Sequence, residues 1–82
     1  MLNRLILPEL GEGITKATIA VWHAQPGEYV QESDSVVEVV TDKATFHVPA
    51  GVSGRIKEIL VREGEEAPVG GALALIEPGV KP

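Results

Sequence analysis

The stretch Val36-Val37-Glu38-Val39-Val40-Thr41-Asp42-Lys43-Ala44-Thr45-Phe46-His47-Val48 reads as two β-strands, 36–41 and 44–48, joined by a tight reversal. Apolar and β-branched residues fill both arms, and the charged pair Asp42-Lys43 divides them. With those two as the central turn residues, Thr41 faces Ala44, Val40 pairs with Thr45, Val39 with Phe46, Glu38 with His47 and Val37 with Val48. Side chains alternate across a strand, so Val37, Val39, Phe46 and Val48 form one apolar stripe, expected to face the core. Glu38, Val40, Thr45 and His47 share the wet face. Glu38 beside His47 makes an opposite-charge cross-strand pair of minor structural weight, and His47 lacks the neighbouring nucleophile that a general base would serve.

Two-residue hairpins prefer Asn-Gly or Asp-Gly, because an L-residue such as Lys is strained at positive φ. The Asp42-Lys43 turn is therefore expected to be an ordinary type I, with some local untwisting of the strands. A charged residue at a solvated turn commonly does no more than keep the surface wet. Two features set Lys43 apart: it is the only Lys or Arg between Thr18 and Gly54, and it sits at the centre of an internal repeat. A solitary amine on a rigid protruding turn is accessible to an acylating enzyme without unfolding of the domain.

Outward from this hairpin, apolar runs of strand length recur at 5–7, 18–24, 55–62 and 72–76, with short bridging strands near 29–30 and 67–68. Turn signals separate them, among them Pro26-Gly27, Glu63-Gly64 and Gly70-Gly71. No window holds a helical period. A shift of 37 positions lays residues 17–38 over 54–75, matching Ile19 with Ile56, Gly27 with Gly64 and Glu28 with Glu65, and setting Val36 on Leu73. The matched Gly-Glu pairs each follow a strand and open a turn, where backbone geometry most restricts residue choice. Two similar antiparallel halves, each with one apolar face, bury those faces by packing as two sheets. The expected fold is all-β, a flattened barrel-sandwich of two four-stranded antiparallel sheets with pseudo-twofold symmetry. The symmetry mate of the Asp42-Lys43 hairpin falls near Pro78-Gly79, at the chain's end.

The chain of 82 residues makes one domain, with 44% hydrophobic and 23% charged residues, which excludes a disordered chain. It has no cysteine, so disulfides, a thiolate nucleophile and sulfur-rich zinc sites are all excluded. Two histidines far apart in sequence argue against a metal. Seven basic against twelve acidic residues give a net charge of −5, a sign that repels phosphate backbones, so nucleic acid is not an expected partner. The run Leu5-Ile6-Leu7 is cut by Pro8, so it is neither a signal-peptide core nor a membrane span. No nucleophile-base pair, phosphate-cradling loop or carboxylate dyad marks an enzyme. Ile19, Val21 and Trp22 are read as core or core edge.

Four segments in order, Leu7-Pro8-Glu9-Leu10-Gly11-Glu12-Gly13-Ile14, the Pro26-Gly27-Glu28 region within 22–30, Val39-Val40-Thr41-Asp42-Lys43-Ala44-Thr45, and residues 54–61, closely resemble the lipoyl domain of 2-oxo acid dehydrogenase multienzyme complexes. The resemblance runs from about residue 5 to 77. It implies a flattened β-barrel in which Lys43 carries lipoic acid in amide linkage, so that redox and acyl chemistry belong to the cofactor and the protein supplies position. It implies as partners a lipoate ligase or lipoyl transferase, a thiamine-diphosphate-dependent 2-oxo acid decarboxylase, an acyltransferase core and a dihydrolipoyl dehydrogenase. By position, Asp42 and Ala44 beside the lysine, and Glu12 and Gly13 in the loop 9–15, would be recognised by ligase or decarboxylase, although that loop by itself reads only as a flexible solvated connection. Against the family pattern, Val40 stands where Glu commonly precedes Thr-Asp-Lys, Ser33 where a turn Gly is frequent, and His47 where an acidic residue is common. The wet face near the turn is thereby less acidic, and Val40 offers a lipoyl arm a small apolar resting place.

A biotinyl carrier domain shares this fold, but that family usually flanks its lysine with methionine, and here the sole Met is Met1. An unmodified adaptor of the same shape is the other reading. The triplet ending in Ala44 favours a pyruvate or branched-chain complex over 2-oxoglutarate. Residues 1–77 are read as the domain and 78–82, with two Pro and a Gly, as the start of a linker. The absence of a targeting segment fits a bacterial cytoplasm, or a mitochondrial matrix if the source is eukaryotic.

Overall fold

The computed structural model describes residues 2–79. Eight strands follow one another: β1 (Asn3–Ile6), β2 (Lys16–Trp22), β3 (Tyr29–Val30), β4 (Ser35–Val40), β5 (Thr45–Pro49), β6 (Gly54–Ile59), β7 (Glu66–Pro68) and β8 (Ala72–Pro78). They form two antiparallel four-stranded sheets, ordered β1-β8-β6-β3 and β5-β4-β2-β7, with no helix among the described residues. The expected all-β fold of two four-stranded sheets is the one observed. Exchanging β1 with β5, β8 with β4, β6 with β2 and β3 with β7 turns one sheet order into the other, which is the pseudo-twofold that the 37-residue repeat implies.

The repeat is written into the hydrogen bonds that tie the halves together. Gly27 N–H donates to the Ile56 carbonyl at 2.8 Å, and its mate Gly64 donates to the Ile19 carbonyl at 2.8 Å. In return Ile56 N–H reaches the Glu28 carbonyl and Ile19 N–H the Glu65 carbonyl, both at 2.9 Å. Each half's Gly-Glu turn thus pairs with a strand of the other half. The two glycines sit at φ +93° and +89°, where a side chain would be strained. Glu28 and Glu65 close their turns alike, accepting from the backbone N–H of Gln25 at 2.7 Å and of Arg62 at 2.8 Å.

The inner faces meet in a core that includes Leu7, Ile19, Val37, Val39, Val48, Ile56, Leu73 and Ile76, each at most 2% exposed. Trp22 packs at its edge and donates its indole N–H to the Val61 carbonyl at 2.8 Å, satisfying the one polar atom of its ring. Val21 is half-buried on the opposite face.

Several strand limits differ from expectation for identifiable reasons. β6 ends at Ile59, not at 62, because Leu60 and Val61 both donate to the single carbonyl of Leu73 as the chain leaves the sheet. β2 ends at Trp22, ahead of the Pro26-Gly27 turn, and Leu7 follows β1 as a buried residue outside the strand. β8 runs through Pro78, one residue beyond the expected end of the domain, opposite Gly54 at the end of the central β6–β8 ladder. A Cβ at Gly54 would run into the Glu77 carbonyl oxygen, so glycine permits this close approach. Of the rest of the expected linker, Gly79 donates its N–H to the Ser53 carbonyl at 3.1 Å, and Val80-Lys81-Pro82 lies outside the described residues.

Candidate functional site

The β4–β5 hairpin has the register read from its sequence: Val37 opposite Val48, Glu38 opposite His47, Val39 opposite Phe46 and Val40 opposite Thr45. Val37, Val39 and Val48 are buried, Phe46 packs half-buried against them, and Thr45 and His47 are exposed. A bulge between Ser35 and Val37 breaks the alternation, so Val36 is buried as well as Val37.

Thr41 closes the turn. Its N–H donates to the Ala44 carbonyl at 2.9 Å, and its Oγ1 accepts from the N–H groups of Lys43 and Ala44, each at 3.1 Å, while donating to the Ala44 carbonyl at 3.1 Å. Among the described residues only glycines adopt positive φ, which excludes a type I′ turn at Asp42-Lys43. The Thr41 hydroxyl supplies the bracing that an Asn-Gly or Asp-Gly pair would supply by conformation. Thr41 was not among the expected site residues, though a Thr opening a tight turn is a recognisable signal for this side-chain bond. Asp42, Lys43 and Ala44 are exposed, and Lys43 makes no ion pair among the described residues. The described chain therefore presents an uncommitted primary amine on a turn braced by four hydrogen bonds.

The loop between β1 and β2 comes up beside this turn. Gly13, Ile14 and Thr15 of the loop, Ala17 and Thr18 of β2, and Val40, Thr41 and Asp42 line a cavity of about 380 Å³. Lys16 and Glu66, paired at 3.4 Å, line it as well. Of the expected recognition residues, Gly13 and Asp42 share this cavity; Glu12 and Ala44 are exposed and do not line it.

Further along the wet face, Glu38 Oε1 accepts from His23 Nε2 at 2.8 Å and lies 3.2 Å from His47 Nε2, the expected cross-strand pair. His23 was not anticipated. A bulge between Ile19 and Val21 shifts the end of β2 by one residue, so that Val21 lies opposite Glu38 and His23 reaches the same carboxylate. The hydrogen bond from His23 holds the Glu38 carboxyl below the ordinary glutamate value, partial desolvation opposes it, and the charge of His47 adds to the lowering. Among the described residues, no group of three or more His, Cys, Asp or Glu is placed to hold a metal ion.

A family model described as "Biotin-requiring enzyme", the biotin/lipoyl domain, matches residues 3–76. The chain belongs to the biotin/lipoyl domain family. Within that family its relatives are on the lipoyl side. It is 38% identical over 79 residues to the dihydrolipoyllysine-residue succinyltransferase component of the 2-oxoglutarate dehydrogenase complex of Bartonella vinsonii subsp. berkhoffii, covering 96% of this chain and 19% of that protein. It is 37% identical to the lipoamide acyltransferase component of the branched-chain alpha-keto acid dehydrogenase complex of Bacillus subtilis, covering 93% of this chain and 18% of that protein. The solution structure of the lipoyl domain of the 2-oxoglutarate dehydrogenase complex from Azotobacter vinelandii superposes with a TM-score of 0.71 at 36% identity, over 93% of this chain and 98% of that one. The chain spans about a fifth of the length of the curated relatives it matches. It is a lipoyl domain, a carrier module whose family bears covalently attached lipoic acid on a lysine.

Proposed function

We propose that Lys43 bears the lipoyl group, and that the domain presents it to the successive active sites of a 2-oxo acid dehydrogenase complex as part of a longer acyltransferase chain. The observation that carries this reading is the Thr41-braced turn, which holds an exposed, unpaired amine at the end of a strand pair anchored in the core by Val37, Val39 and Val48. Lys16 is paired with Glu66, and Lys57 lies within β6, so neither occupies a reversal between strands. Bound lipoate supplies reversible disulfide and thioester chemistry to a chain that has no cysteine of its own. The protein's contribution is position. Amidation removes one of the seven basic charges, taking the net charge from −5 to −6.

Asp42 and Ala44, which flank the amine, together with Glu12 and Gly13 in the neighbouring loop, are the surface that a lipoate ligase or lipoyl transferase and a thiamine-diphosphate-dependent decarboxylase would read. The acyltransferase core and a dihydrolipoyl dehydrogenase complete the proposed set of partners. Tethering keeps the local concentration of the domain high at each of them, so weak docking suffices. The relatives include 2-oxoglutarate, branched-chain and pyruvate types at 38%, 37% and 38% identity, and this near-equality lends no support to the preference drawn from Ala44.

The experiment is intact-mass analysis after coexpression with a lipoate ligase and, separately, with a biotin ligase. The expected result is one lipoyl adduct and no biotin adduct. A biotin adduct, or an unmodified chain beside a lipoylated control domain, would overturn the proposal.

A further inference from the structure

The cavity beside the turn is placed and lined to receive the arm itself. Building on the Lys43 reading, we infer that the lipoyl arm has a resting site on its own domain, in the cavity between the β1–β2 loop and the β4–β5 turn, where Val40 and Ile14 receive its apolar end.

Val40 is 39% exposed, an apolar side chain whose register partners, Thr18 and Thr45, are polar. The strand register places it between Thr18 on β2 and Thr45 on β5, with Glu66 beyond Thr18. Ile14, half-buried and held in place by its N–H bond to the Gly11 carbonyl at 3.2 Å, lines the same cavity. Val40, Thr41 and Asp42 line it too, and the residue that would carry the arm is the next one in the chain. The occupant best matched to these walls is therefore one tethered at Lys43 and apolar at its far end.

Size and charge agree with this occupant. About 380 Å³ lies at the lower end of the roughly 300–1,000 Å³ typical of small-molecule sites. Lys16 and Glu66 pair at 3.4 Å and Asp42 has no ion pair among the described residues, so an uncharged amide and dithiolane meet one carboxylate and no isolated cation there. The cavity is open to solvent on one side, which suits a weak and readily reversed contact. A resting state occupied half of the time would lower the fraction of free arm only about twofold. The same contact would shield the dithiolane between visits to partner sites.

The test uses the lipoylated 82-residue chain, with lipoylation of Lys43 first established by peptide mass. Methyl spectra of modified and unmodified chains are compared, and proton–proton Overhauser contacts are sought between the dithiolane and the Ile14, Thr18 and Val40 methyls. The expected result is shifts confined to those methyls, with contacts to the ring that are lost in Val40→Glu and retained in Val40→Leu. Methyl spectra unchanged by a lipoyl group mapped to Lys43 would overturn the resting site while leaving the carrier reading intact. Shifts at these methyls on addition of a decarboxylase, but not on lipoylation, would assign the cavity to the partner and equally overturn it. A Lys43 that stays unmodified would remove both readings.

Discussion

The β4–β5 and β8–β1 pairs hold equivalent places in the two sheets, yet only one of them is joined by a turn. At β4–β5 the chain reverses through Thr41-Asp42-Lys43-Ala44; at β8–β1 the corresponding strands lead to the two ends of the described chain. The flanking pairs differ in the same sense. Glu38 lies opposite His47 in the closed pair, and Leu75 lies opposite Arg4 in the open one. The scaffold is thus nearly symmetric in backbone and core, and the proposed attachment point lies on the pair that the described chain closes with a turn.

The strongest way to test the equivalence is at the paired turns. Gly27→Ala and Gly64→Ala each introduce a side chain at positive φ into open space, so the penalty is backbone strain alone. Each is expected to destabilise the domain by about 1–2 kcal/mol, with matching losses in urea midpoint and unchanged m-values. A large inequality between the two would show that the halves are not energetic equivalents.

A smaller effect on stability, and a sharper one on function, is expected at the closed end. Thr41→Val removes the hydroxyl that braces Lys43 and Ala44, at a cost of about 0.5–1.5 kcal/mol for each bond not taken over by water. Lipoylation under limiting ligase should slow markedly in this variant, whereas Thr41→Ser, which keeps the oxygen, should stay near wild type. Equal rates for all three would separate turn bracing from modification.

The smallest effect lies on the wet face. The Glu38 carboxyl titrates below its ordinary value because His23 donates to it. A carboxylate with a depressed folded pKa contributes stability above its unfolded titration range and loses that contribution as pH falls through the folded value. The loss is therefore confined to the acid side of the ordinary glutamate range. In carbon-detected NMR titrations the Glu38 midpoint should move up toward the ordinary value in His23→Ala, with a lesser change in His47→Ala. An unchanged midpoint in His23→Ala would remove the assigned cause.

Much of this molecule is legible from residue pattern because its main devices are periodic. A period of two with a two-residue turn defined the pairs of the β4–β5 hairpin from Val37–Val48 to Val40–Thr45, since a slip of one residue would send Val37, Val39 and Val48 to solvent. The repeat could be read from three identities because two of them, Gly27 and Glu28 with Gly64 and Glu65, form the turns that bond across the halves. What escaped the reading came from irregularity. The bulges that bury Val36 and carry His23 to Glu38 have no residue signature of their own, and the cavity depends on how a Gly-rich loop packs against a turn 25 or more residues away. The exposed turn that carries Lys43 was legible, whereas the brace from Thr41 was passed over because Thr41 also suits the end of a strand.

The central claim is that one amine is held at the apex of a braced turn for acylation, and the most direct measurement is peptide mapping of the chain after coexpression with a lipoate ligase. Lipoate found on Lys43, absent from Lys16 and Lys57 and lost in Lys43→Arg with the fold retained, is the expected result. Lipoate mapped to Lys16 or Lys57, or a Lys43→Arg chain that is still lipoylated, would contradict it.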